Sequence, residues 1–484
     1  MDYRVLGYVL GRLVFAESAT LFIPFCIALA YDEDSGPAIF CSLCVSMTLG
    51  HILYRKGKTK TQELTMREGI AITGLGWLLA TGIGMLPYFL GGYLSPADAW
   101  FESLSGLTGA GATVVQDLDQ LPTSILFWRM MSHWFGGLGI IVIFIALLPQ
   151  TGQSSVYMYQ AESSQAVDGR VLPRLHDMTR ILFKMYLLFT AIASVTFLLC
   201  GLPPMEACMH AMSAVGTGGF STYNDNAMHF NDVPLECAAA FFMLLCGGNF
   251  GLYYRAYKKG FRVLRENTEF KVYLGIVFVA TVCVTGNLIL QMGMDPAQAL
   301  RYAGFQVISI ITTTGFCSTD FDTWPGFSKL VLLLLMLCGG CAGSTSGGLK
   351  VWRIALLVKN VWRIVYQKID PRRIVTVHMN GRPVSSSALH RVGEFFFLYI
   401  FCILVCAFFL TADGIKLFDA LSIAVTSMGD VGPGFGIAGA TQSFAGLSDF
   451  SKFLVSFAML LGRLEIFTLL VMLRPNFWRK KNRW

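Results

Sequence analysis

The sequence predicts an all-α polytopic membrane protein: two N-terminal transmembrane helices, then four helix–pore loop–helix repeats in a pseudo-fourfold arrangement around one pore. Three observations predict it. Of 484 residues, 54% are hydrophobic and 14% charged, with mean hydropathy +0.58, whereas soluble chains carry about 25% charged residues. A short polar turn following an apolar approach recurs four times, and such self-similarity marks a repeat architecture. Basic residues gather in alternate links between the apolar runs.

The elements follow in order. Apolar runs 5–30 and 37–54 form the first unit, 1–68; the first run is too long for a cleaved signal peptide and reads as a retained helix. Repeat one (69–150) has spans at 69–94 and 127–148 around a re-entrant segment at 97–111. Repeat two (151–265) has spans at 181–201 and 235–254 around 204–219. Repeat three (266–392) has spans at 272–294 and 330–357 around 296–315. Repeat four (393–484) has spans at 395–412 and 453–473 around 416–429. The re-entrant segments are too short to cross a bilayer, which takes about 20 apolar residues. Pro96, Pro204 and Pro296 stand at or before their starts, where a first helical turn tolerates proline. The expected total is ten spanning and four re-entrant helices.

Charge sets orientation. Arg55, Lys56, Lys58 and Lys60, then Arg255, Lys258, Lys259, Arg262 and Arg265, then the long link after Lys350 and the C-terminal Arg479 and Lys480 lie on one side. Asp32, Asp98, Asp117, Asp225, Asp320 and Asp449 lie on the other. Lys and Arg in short loops mark the cytoplasmic face, so both termini are expected there, and the loops dip in from outside.

Non-helical backbone at membrane depth survives only where protein buries it or water lines it. The four turns supply such backbone: Thr108, Gly109, Ala110 and Gly111; Gly216, Thr217, Gly218 and Gly219; Thr312, Thr313, Thr314 and Gly315; and Thr426, Ser427, Met428 and Gly429. Aligning them puts Gly111, Gly219, Gly315 and Gly429 in one column and Asp430 opposite Phe220 and Phe316. Rings of backbone carbonyls replace the hydration shell of a monovalent cation in K⁺ channels, and these carbonyls are expected to do the same. Asp430 either attracts cations at the mouth or holds its own loop by hydrogen bonds; the second is the preferred expectation.

Within the second span of repeat three, residues 338–350 hold five glycines, with Ser344, Thr345 and Ser346 between them. At about 1 kcal/mol per glycine no regular helix persists there. Gly339, Gly340, Gly343, Ser344, Thr345, Gly347, Gly348 and Lys350 are therefore the candidate gate, beneath the third turn. Gly136-Gly137 and Gly247-Gly248 occupy related positions, where close helix packing is the expectation. Arg463, inside the last apolar run, is a functional candidate because a charge in a membrane helix faces the interior or water. It either points at the pore below the turns or forms a salt bridge with Glu102 or Glu465. Gly434–Gly439 fits G-x-G-x-x-G but follows no strand, and no catalytic motif occurs, so no enzyme is expected.

These residues resemble the Trk/Ktr/HKT superfamily of K⁺ transporters, and within it the bacterial TrkH/TrkG branch. The likeness spans essentially the whole chain: the two extra helices, the four loops (Leu107–Thr113 and Thr426–Asp430 above all), the 338–350 interruption and the Gly462-Arg463 pair. The resemblance implies K⁺ uptake across the bacterial inner membrane, with Rb⁺ as a congener, through a filter holding the four aligned glycines. Loop 338–350 and Arg463 would be its intramembrane gate. A serine at the first column position accompanies Na⁺ transport in the plant branch, so Gly111 favours K⁺. The resemblance further implies a homodimer and a cytosolic TrkA-like regulatory ring that binds NAD(H) or ATP/ADP, docking on the basic links 255–271 and 359–391. No covalent cofactor and no nucleic-acid partner are expected. The competing expectation is a symporter coupling K⁺ to H⁺ or Na⁺, because broken helices also occur in alternating-access transporters.

Overall fold

The computed structural model describes residues 1–57, 65–139, 175–464 and 466–479. They are helical apart from irregular connections and one hairpin pairing His378–Met379 with Arg382–Pro383. Lys58, Lys60, Glu465, Lys480 and residues 140–148 of the second span expected in repeat one lie outside the described residues.

Among the described residues six helices are long and apolar enough to cross a membrane: Tyr3–Ala30, Gly36–Gly57, Met66–Leu90, Thr179–Leu199, Thr268–Met292 and Ser386–Ala412. Their outer faces carry exposed apolar side chains such as Phe22, Phe278, Leu290 and Phe397. In water such surfaces would be an aggregation liability; in lipid they are matched to their solvent. Met66–Leu90 differs in being mostly buried. It packs between the N-terminal helices and the short helix Pro96–Thr108.

Four helices of 13 to 16 residues follow long ones: Pro96–Thr108, Pro204–Gly216, Pro296–Ile311 and Leu417–Gly429. At 1.5 Å per residue, 13 residues reach roughly 20 Å, short of the ~30 Å hydrocarbon core. Proline at the first turn and side-chain caps fix two of their starts: Ser95 accepts from Asp98 N–H, and Asp295 from Ala297 and Gln298 N–H. Their C-terminal halves are buried almost completely.

Three of the helices that follow these are not the straight spans expected. Val233–Cys246 and Phe250–Lys259 meet at 88°, and Asp449–Arg463 and Ile466–Met472 at 119°. Gly326–Cys338 stops after 13 residues and resumes only at Val351–Ile369. Of the ten spans expected, six are met by length and hydropathy among the described residues, or eight if each bent pair counts as one. The cause is local. At the first bend Gly247 and Gly248 end one helix, and the Asn249 side chain caps the next by accepting from Leu252 N–H at 3.0 Å. Gly247-Gly248 thus marks a break rather than only a packing contact. Gly136 and Gly137 do pack closely, against the Leu107 carbonyl and Gly216.

Candidate functional site

Each short helix ends in one repeated device. Ala110 N–H donates to Ser105 O (3.1 Å), Gly218 N–H to Ser213 O (3.0 Å), Thr314 N–H to Ser309 O (2.9 Å) and Val431 N–H to Thr426 O (3.0 Å). This six-to-one closure needs a left-handed cap, supplied by Gly109, Thr217, Thr313 and Asp430 at φ +76°, +52°, +56° and +53°. Two residues on, Gly111, Gly219, Gly315 and Gly432 again take positive φ, from +74° to +96°. Side chains repeat the register: Ser213 donates to Phe220 O, Ser309 to Phe316 O and Thr426 to Pro433 O.

This corrects the fourth turn. Gly432, not Gly429, stands in the column with Gly111, Gly219 and Gly315. Thr426, Ser427, Met428 and Gly429 form the last helical turn of Leu417–Gly429. The segment matching 108–111 is 429–432, so Asp430 matches Thr217 and Thr313, not Phe220 and Phe316.

The turns touch in cyclic order. A methyl group on Gly111 would collide with the carbonyl of Gly218, on Gly219 with that of Thr314, on Gly315 with that of Val431, and on Gly432 with that of Ala110. The four column glycines are therefore required twice over, by φ and by the neighbouring backbone. On one side of these contacts a cavity of about 320 Å³ opens, lined by Gly111, Gly219, Gly315 and Gly432 among others.

Loop 338–350 lies on the opposite side, against the left-handed caps. Gly347 N–H donates to Thr313 Oγ1 (2.7 Å), and the Thr217 and Thr345 hydroxyls are 3.0 Å apart. A Cβ on Gly347 would lie 2.8 Å from that of Asp430. The fourth cap, Gly109, has no side chain to offer; toward its repeat Arg463 reaches instead. Arg463 donates to Thr345 O (2.8 Å), Gly137 O (2.8 Å) and Gly136 O. Of the candidate gate residues, Thr345 and Gly347 thus meet the turns directly and Arg463 meets Thr345. Lys350 turns back on its own loop, donating to Ser346 O, at φ +74°. Gly339, Gly340, Gly343, Ser344 and Gly348 shape the loop: Gly339 and Gly348 are in backbone contact, and Gly343 O accepts from Phe250 N–H at 3.1 Å.

Two expectations about charge are corrected. Glu102 is not the partner of Arg463. It pairs with Arg129 at 2.7 Å, both side chains at most 1% exposed, because the two face each other from Pro96–Thr108 and Thr123–Leu138. This pair, unforeseen, clamps the turns: Glu102 accepts from Val114 N–H and Thr113 Oγ1, Arg129 donates to Ser221 O, and its guanidinium lies 4.0 Å from the Phe220 ring centroid. Arg129 was legible in the same way as Arg463, as a charge within an apolar helix. Asp430, in turn, does not hold its loop. Among the described residues neither carboxylate oxygen has a hydrogen-bond partner, although the residue is 1% exposed.

Residues 35–480 match the family model TrkH, described as a cation transport protein. The chain is 34% identical to the Trk system potassium uptake protein TrkH of Salmonella typhimurium, over 99% of this chain and 100% of that one. It is 32% identical to TrkG of Escherichia coli, over 98% and 99%. The crystal structure of the potassium transporter TrkH from Vibrio parahaemolyticus superposes with a TM-score of 0.90 at 32% identity, covering 99% of this chain and all of that one. With several lipid-matched helices and a family model spanning nearly its full length, this multi-pass membrane protein belongs to the TrkH family of cation transport proteins.

Proposed function

We propose that this protein takes up potassium through a pore formed by the four turns, with loop 338–350 and Arg463 as its intramembrane gate. The observation that carries the reading is the seating of that loop. Thr345 and Gly347 rest against the left-handed caps Thr217, Thr313 and Asp430 of three turns, on the face opposite the 320 Å³ cavity. Carbonyls of the 108–111, 216–219, 312–315 and 429–432 segments are the cation ligands. Carbonyl dipoles compensate a dehydrated monovalent ion without a fixed charge, so the ion can leave again. The names of the relatives, potassium uptake proteins of a Trk system, support K⁺ as the cargo. In the same reading the chain sits in a bacterial inner membrane with both termini cytoplasmic, forms a homodimer, and meets a nucleotide-binding ring on its basic links.

The test is Rb⁺ uptake into proteoliposomes holding the full chain, with K⁺ and Na⁺ as competitors. Uptake that follows an imposed K⁺ gradient without a proton or sodium gradient is the expected result. Strict dependence on either of those gradients would replace the pore with a symporter.

A further inference from the structure

Away from the turns, a cavity of about 400 Å³ lies among the helices Thr179–Leu199, Val233–Cys246, Phe250–Lys259 and Thr268–Met292. Its wall is apolar, with Leu244, Leu264 and Phe270 inside and Phe241, Tyr257 and Phe261 exposed at the rim. The helix Phe250–Lys259 leaves its predecessor at 88° and buries Phe250, Leu252 and Ala256 while exposing Arg255, Lys258 and Lys259. An apolar face below and a cationic face above is how a helix lies in a membrane interface.

The charges are placed around the cavity. Each wall residue of the 257–271 stretch is followed by a base: Tyr257 by Lys258 and Lys259, Phe261 by Arg262, Leu264 by Arg265, and Phe270 by Lys271. All five bases are exposed. Of the nearby acids, Glu266 is committed to Arg262 at 2.6 Å and Glu269 accepts from Ala342 N–H at 2.6 Å. Basic pockets between transmembrane helices on the cytoplasmic side suit anionic lipid headgroups.

We infer that this cavity binds an anionic membrane phospholipid, one acyl chain inside it and the phosphate on the bases after Tyr257 and Phe261. The inference rests on the proposed orientation, which puts these bases at the inner leaflet. Occupancy reaches the gate loop through backbone. The start of Phe250–Lys259 is bonded to that loop by Phe250 N–H to Gly343 O (3.1 Å) and Asn249 Nδ2 to Ala342 O (2.6 Å), and Cys341 N–H donates to Gly247 O (2.8 Å). A lipid that holds this helix holds the loop in its seated position.

The experiment is native mass spectrometry of the full chain equilibrated with phosphatidylglycerol and phosphatidylcholine. It compares wild type, Lys258→Gln/Lys259→Gln/Arg262→Gln, and Leu264→Trp, which fills the cavity and leaves the charges. Wild type retains phosphatidylglycerol over phosphatidylcholine, and each variant retains several-fold less. Equal retention of the two lipids, or unchanged retention in both variants, overturns the site. Rb⁺ uptake by wild type is lower in phosphatidylglycerol vesicles than in phosphatidylcholine vesicles, and that difference vanishes in both variants. Lipid retention without it overturns the link to the loop. Lipid retention is read without ion flux, so absence of any flux would count against the pore and not against this site.

Discussion

Replacing Arg463 with Ala isolates the latch. Its guanidinium holds three carbonyls, but Gly136 O and Gly137 O belong to the helix Thr123–Leu138, and only Thr345 O lies in the loop. Withdrawal of the loop therefore breaks one charge-assisted bond, while the other two remain. Such a bond contributes about 1.5–3 kcal/mol, and each ~1.4 kcal/mol is tenfold in an equilibrium. The seated-to-withdrawn ratio should fall by roughly 10- to 150-fold in Arg463→Ala, and Rb⁺ uptake by proteoliposomes of the chain alone should rise in proportion until the withdrawn state predominates. Arg463→Lys separates geometry from charge. A lysine keeps the positive charge but not the planar fork that spans the loop and the helix end, so it should still raise uptake, by less than Ala does. Removing the bond on the other partner, Thr313→Val, leaves the Gly347 N–H without its acceptor (2.7 Å in the native protein) and should raise uptake in the same direction. Uptake within twofold of wild type in both Arg463→Ala and Thr313→Val, with both proteins folded, would refute the latch.

Three further outcomes are expected. Gly432→Ala should abolish K⁺ preference over Na⁺ in the Rb⁺ competition assay, since φ +96° and the Ala110 carbonyl leave no room for a methyl group; preserved preference would remove Gly432 from the column. Glu102→Gln should lower the thermal stability of the detergent-solubilised chain by about 3–5 kcal/mol, because it leaves the Arg129 charge buried without a counter-ion; an unchanged melting temperature would contradict the clamp. Hydrogen bonds from Ser448 and Ser451 hold the exposed Asp413 carboxyl below its ordinary pKa, so its contribution to stability is present above about pH 4 and is lost as pH falls through the lowered value. Melting curves of wild type and Asp413→Asn should converge below that pH, and a constant difference down to pH 2 would argue against it.

The class, the long apolar helices, the recurrence of one polar turn and the interruption at 338–350 were legible in the sequence. Each is written in local hydropathy or in local glycine content, and both act over a few residues. Arg463 was legible because a charge among apolar residues needs a partner wherever the chain folds. Its partner was not, since Thr345 O lies more than a hundred positions away and a carbonyl leaves no mark in the sequence. The fourth turn shows the same limit at short range. Glycine spacing offers Gly429 and Gly432 equally, and the choice is made by Val431 N–H closing on Thr426 O and by the Ala110 carbonyl packed against Gly432. The Glu102–Arg129 clamp and the burial of Asp430 are likewise tertiary. Hydropathy measures the solvent that a segment prefers; which backbone group or charge faces which is decided only when distant segments are packed together.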